Sequence, residues 1–126
     1  MQTPLQITFH NLEQSEALSA LIREHAAILE AHFPRLIGCR VSVEQPNHHH
    51  RHGKGKHFRV CVEMSIPGDT LVADREAPAI VSHEDLYRAV RETFKTALRL
   101  LDTRAKRLDG HARAHRPHRR EMTGRR

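Results

Sequence analysis

Between Leu86 and Leu108 the apolar residues Leu86, Val90, Phe94, Ala97, Leu101 and Leu108 recur at helical spacing, and Arg88, Arg91, Lys95, Arg99 and Lys106 recur on the opposite side. At about 100° per residue the five cations fall within about 80° of one another, roughly half a turn from the apolar stripe. Both stripes are satisfied only if the helix docks its apolar side on a second layer and leaves a row of fixed cations in water. The rest of the chain must therefore supply an apolar face. A cation row also suits a polyanion, because each neutralised phosphate releases counterions and adds affinity without any base contact. Nucleic acid is the expected partner.

The second layer is visible as three alternating runs. Leu5, Ile7 and Phe9 alternate with Gln6, Thr8 and His10; Ile37, Cys39, Val41 and Val43 with Gly38, Arg40, Ser42 and Glu44; Phe58, Val60, Val62, Met64 and Ile66 with Arg59, Cys61, Glu63 and Ser65. Period two marks half-buried strands, and the last two runs are expected to pair antiparallel. Pro67-Gly68-Asp69 supplies a tight turn into a short strand at Thr70 to Arg75, which Pro78 closes. A first helix follows the first strand: Ser15 caps it, Glu16 lies in its first turn, and Leu18, Leu21, Ile22, Leu29 and Phe33 share a face before Pro34 ends it. Ser82 or Asp85 caps the second helix, and Gly110 stops it.

The order is strand, helix, three strands, helix. Each strand offers one apolar face and each helix one apolar stripe, so the economical arrangement is an α+β two-layer sandwich, β-α-β-β-β-α, with both helices on one face of a four-stranded sheet. The opposite sheet face carries Arg40, Ser42, Glu44, Arg59, Glu63 and Ser65 and is polar enough to meet water. The two helices are expected to present their cations outward. A chain of 126 residues holds one such domain, here residues 1–109, and residues 110–126, rich in Arg, His and Pro, read as a basic flexible tail.

Lys and Arg number 21 against 15 Asp and Glu, a net charge of +6, and twelve histidines add more below about pH 6.5. Residues 1–9 lack the basic head and apolar run of a signal peptide, and no apolar stretch approaches about 18 residues. A cytoplasmic protein without a membrane partner is expected, monomeric when free. Cys39 and Cys61 each sit in a strand-like run and read as reduced small residues, a disulfide being open only if the two strands pair in register.

Pro46 to Lys56 has no apolar anchor and is expected to project as a cationic loop, where Arg51, Lys54, Lys56 and the adjoining Arg59 extend the basic path. His48, His49, His50 and His52 invite a metal reading, since imidazole ligates zinc, copper and nickel. Consecutive loop histidines lack fixed geometry, however, and no nearby carboxylate orients their second nitrogens, so no metal or other cofactor is expected. There is no Gly-rich phosphate loop, nucleophile elbow or H-E-x-x-H, and Glu84 and Asp85 are first-turn acids of a helix. No enzymatic chemistry and no small-molecule substrate are expected. Tyr87, beside Leu86, is expected to pack on the sheet and not to stack on a base.

Several short motifs fall in a shared order: Glu16-Ala17-Leu18 after a capping hydroxyl, Leu29-Glu30 followed by Phe33, and Asp85-Leu86-Tyr87 followed by Ala89-Val90. With this order of elements the chain, from about Leu5 to Arg107, resembles the ribosome hibernation-promoting factors, also called ribosome-associated inhibitor or protein Y. The resemblance implies a protein that lodges in the messenger and transfer RNA channel of the small ribosomal subunit, contacts its rRNA, inhibits translation and stabilises idle ribosomes under stress. Arg99 and Arg107 stand where that family places basic residues on the second helix. His25, Ile28 and Thr96 stand where familiar members have lysines, and Arg88, Arg91 and Lys95 add charge nearby. Two other readings compete. A general double-stranded RNA-binding module would begin with a helix, against the strand at Leu5 to Phe9; a metal-binding module would act through His48 to His52.

Overall fold

Alternation of apolar and polar residues does produce strands, and the two apolar helical stripes close over one side of them. A computed structural model describes residues 1–45, 56–80 and 82–114, with the side chains of all of these except 56, 77–80, 83 and 108–114. The elements in chain order are β1 (Gln6–His10), α1 (Glu16–His32), β2 (Gly38–Glu44), β3 (Lys56–Ile66), β4 (Asp69–Ile80) and α2 (His83–Ala114). The sheet order is β1-β2-β3-β4; β1 runs parallel to β2, and the other two pairings are antiparallel. The helix α1 is the crossover that a parallel β1–β2 pair requires.

One core sits between the layers. Leu18, Ile22, Ala26, Leu29 and Phe33 of α1 and Leu86, Val90, Phe94, Ala97 and Leu101 of α2 are buried with Val41, Val43, Val60, Val62 and Met64 of the sheet. These strand residues share one parity, so both helices cover the same sheet face, and α2 lies over β3 and β4 beside α1. Thr93 is buried as well; its hydroxyl donates to the Ala89 carbonyl at 2.8 Å, which satisfies it inside the helix. Leu5, Leu21 and Tyr87 are partly buried against the edge of the core.

The local signals explain most boundaries. Ser15 caps α1 by accepting from the Leu18 amide at 3.2 Å, and Ser82, not Asp85, caps α2 by accepting from the Asp85 amide at 3.2 Å. Pro67 and Gly68 form the β3–β4 turn, with Gly68 at φ 82°, the residue pair of a type II turn. Gly38 sits at a close approach, since a Cβ there would lie 2.3 Å from Thr3 Oγ1 and would make the threonine side chain turn away. That contact exists because the amides of Gln2 and Thr3 both donate to the Ile37 carbonyl and pull the N-terminal segment onto β2.

Two boundaries differ from expectation. Strand β4 continues through Pro78 to Ile80, because β4 is an edge strand and the register shifts between Lys56 and Phe58, where no ladder bond needs a proline N–H. Helix α2 continues through Gly110 to Ala114. A helical glycine costs only about 1 kcal/mol relative to alanine, and here it is flanked by His111, Ala112, Arg113 and Ala114 without a proline to finish the stop. Residues 110–114 therefore belong to the helix, and the remainder of the expected tail lies outside the described residues.

The cysteines fall on opposite faces. Cys39 pairs with Met64 on the core side and is buried, whereas Cys61 pairs with Ser42 on the outer side; both are free thiols. Their parity rules out a disulfide, although the strands are in register.

Candidate nucleic-acid interface

The cation row is where the 3.6-residue period puts it. Leu86, Val90, Phe94, Ala97 and Leu101 are buried, and Arg88, Lys95, Arg99 and Lys106 are exposed on the far side of α2, with Arg91 half-buried on the flank. Arg107 is exposed but lies about 100° off this row, because it directly follows Lys106.

The row is not electrostatically uniform. Arg88 Nη1 is 3.5 Å from Asp85 Oδ1, and Arg91 Nη2 is 3.8 Å from Glu84 Oε2, so acids of the first helical turn fold back on both arginines. Lys95, Arg99 and Lys106 make no ion pair among the described residues. The one acid interleaved with them is Asp102, which is exposed.

Two cross-layer pairs hold the row in position. Arg75 of β4 reaches Glu92 at 3.6 Å, and Arg104 reaches Asp69 at the start of β4 at 2.5 Å. The Arg104 guanidinium, with the Thr70 amide, holds the Asp69 carboxyl below the usual carboxylate range. Sequence reasoning did not single out Arg75, Asp69 or Arg104. Nothing in local spacing could have found them, since each pair joins residues of different elements.

Helix α1 does not share in the cationic surface, contrary to the expectation that both helices supply cations. Its exposed side carries Ala17, Ala20, Glu24, Ala27, Ile28 and Ala31, and its one arginine, Arg23, is 3.9 Å from Glu16. His25 turns inward against α2, where its ring stacks on Phe94 with centroids 5.3 Å apart. Desolvation lowers the His25 pKa; Glu24 opposes this and Arg91 adds to it.

Arg59 lies apart from α2. It shares the outer sheet face with Arg40, Cys61 and Glu63, and its guanidinium is held by both oxygens of Asp74, Nε at 3.0 Å and Nη2 at 2.6 Å. That bidentate bond raises the Arg59 pKa and lowers that of Asp74. Arg40 likewise pairs with Glu63 at 3.3 Å. Both arginines of this face are therefore neutralised in place, beside the further acids Glu44 and Glu76. The structure thus brings Arg88, Arg91, Lys95, Arg99 and Lys106 together and leaves Arg59 on the opposite side of the molecule. Arg51, Lys54, His48, His49, His50, His52 and the side chain of Lys56 lie outside the described residues. Among the described residues no group of three His, Cys, Asp or Glu side chains is arranged to hold a metal ion, and no helix is long and apolar enough to cross a membrane.

The family model described as sigma-54 modulation protein / S30EA ribosomal protein matches residues 5–109. The chain belongs to this family. Two solved structures show the same fold as this S30EA family member. One is a ribosomal subunit interface protein from Coxiella burnetii, with a TM-score of 0.63 and 16% identity, covering 81% of this chain and 97% of that one. The other is the protein Y N-terminal domain of Thermus thermophilus, with a TM-score of 0.58 and 17% identity, covering 79% of this chain and 96% of that one. No curated protein sequence matches this chain. The hibernation-factor resemblance read from the motifs is thus shown at the level of family and fold, and the S30EA match ends at Asp109, within α2.

Proposed function

We propose that the protein binds the small ribosomal subunit through the cationic side of α2, lodges in the messenger and transfer RNA channel, and holds translation off by occupancy. On this reading it preserves idle ribosomes under stress without covalent chemistry, cofactor or small-molecule substrate, and it arrives as a monomer. The observation that carries the reading is the run of Lys95, Arg99 and Lys106 on the outward side of α2, exposed and without an ion pair among the described residues. Like charges four residues apart, as Lys95 and Arg99 are, repel along a helix unless an anion relieves them, so an rRNA backbone gains what the free protein loses. Membership of the S30EA ribosomal protein family supports the ribosome as the source of that RNA. The β1 strand ahead of α1 speaks against the double-stranded RNA-binding module, which begins with a helix.

The test is co-sedimentation with purified small subunits through a sucrose cushion across a salt series. Replacing Arg91, Lys95 and Arg99 by Gln is expected to cost folding within about 0.5 kcal/mol at each of the exposed Lys95 and Arg99 and to leave the variant folded despite the half-buried Arg91, while weakening association and flattening its salt dependence. Unchanged co-sedimentation of that triple variant would remove α2 from the interface.

A further inference from the structure

Resting on that reading, we infer that the phosphate-anchoring part of α2 is its second half, centred on Lys95, Arg99 and Lys106, and that Glu84 and Asp85 are built-in brakes on the first half. All five stripe cations look equivalent on a helical projection, but their surroundings are not. Asp85 and Glu84 sit one and two turns before Arg88 and Arg91 and reach both at 3.5 and 3.8 Å. Glu92, between the two halves, is instead taken by Arg75 of β4 at 3.6 Å, so its charge is offset from the sheet and favours neither half. Setting aside Glu92 and Arg104, which are paired across the layers with Arg75 and Asp69, residues 84 to 91 carry two acids and two arginines, whereas residues 95 to 107 carry Asp102 against Lys95, Arg99, Lys106 and Arg107.

A phosphate approaching the first half meets guanidinium groups whose charge is already offset, and it must also approach within range of the offsetting carboxylates. Approach to the second half displaces only counterions, apart from the single repulsion of Asp102. Counterion release therefore concentrates between Lys95 and Lys106, about 16 Å of helix at 1.5 Å per residue. The first-turn acids meanwhile keep a separate stabilising role, since they complement the positive end of the helix dipole. Acids retained for folding thereby limit how tightly the protein holds RNA and bias the bound RNA toward the C-terminal half of α2.

The inference is tested with two double variants that remove the same number of charges, R88Q/R91Q and K95Q/R99Q, and with E84Q/D85N, all checked for folding by circular dichroism and thermal melting. Affinity for purified small subunits is measured from low to moderate salt, and retention on a heparin column is measured in parallel. For K95Q/R99Q the slope of log K against log salt should fall by about 1.4–1.8, the loss of two phosphate contacts; R88Q/R91Q should lose less than half of that. E84Q/D85N should bind severalfold more tightly. Equal slope losses in the two doubles, or an E84Q/D85N variant that binds no better than the parent, would overturn the inference. If no protein binds subunits but heparin elution shows the same ranking, the division of α2 stands and the ribosomal reading falls. Heparin elution that ignores the division overturns the division itself.

Discussion

Asp69 opens β4 and Arg104 lies toward the end of α2, 35 residues later, yet their side chains meet at 2.5 Å. The contact ties this stretch of the helix to the start of β4, as Arg75 and Glu92 do further along that strand. It also makes the fold sensitive to acid. Arg104 lowers the Asp69 pKa, and Arg59 lowers that of Asp74. A carboxylate held low in the folded state contributes stability that is complete above its unfolded value, about 3.9, and is lost as pH falls through the folded one. The double variant R59Q/R104Q should therefore melt below the parent at pH 7, and the gap should close as the pH is taken below about 4. Parallel melting curves from pH 7 to 2.5 would show that these pairs carry no linkage.

His25 and Phe94 join the two helices by a stacked contact beside Arg91 and Glu24. Phe94 is 2% exposed, and Phe94→Ala should cost about 3–5 kcal/mol in urea unfolding. The histidine is expected to act through pH. Its folded pKa is lowered, so its favourable contribution is present above about 6.5, the unfolded value, and is lost as pH falls from there. His25→Gln should then lie furthest below the parent near pH 8 and approach it near pH 5. A difference in melting temperature that stays constant over that range would contradict this.

Gly38 and Thr3 form a steric pair. An added Cβ at Gly38 would meet Thr3 Oγ1 at 2.3 Å but Thr3 Cβ at an ordinary 3.7 Å. Gly38→Ala alone should turn the threonine away and cost about 1 kcal/mol through its hydroxyl bond to the Ile37 carbonyl. In the Thr3→Ala background the same glycine change should cost less, and a double-mutant cycle in urea gives the coupling directly. Strict additivity would place the strain elsewhere.

The thiols should differ in reactivity and never join. Burial pushes Cys39 up to about 11, and Cys61 is raised less, by desolvation and then by Asp74. With a disulfide-exchange reagent at pH 8, Cys61 should be modified first, and Cys61→Ser should abolish the fast phase. Formation of an intramolecular disulfide in the native protein would contradict their placement on opposite faces.

Much of this fold is legible in residue order because its two periods are clean. Alternation around Val41 and Val62 placed both strands and the face each buries, and the Leu86 to Leu101 spacing placed both sides of α2. Legibility ends where the deciding interaction lies between elements. The parallel β1–β2 pairing depends on α1 crossing the sheet, the passage of β4 through Pro78 depends on its being an edge, and Asp69 finds Arg104 only after α2 has docked. At the candidate interface, spacing gathered Arg88, Arg91, Lys95, Arg99 and Lys106. It could not show that Glu84 and Asp85 fold back on the first two, nor that Asp74 takes Arg59 with two hydrogen bonds.

The pairing of Arg40 with Glu63 and of Arg59 with Asp74 has a consequence for how the molecule travels. With its arginines cancelled and Glu44 and Glu76 beside them, the sheet side is, among the described residues, the negative side opposite the cationic α2. On the proposed binding mode, this charge asymmetry of the described residues favours an approach to a polyanion with α2 leading. Under that binding mode the sheet carboxylates, furthest from the docked RNA, would shorten the search for it.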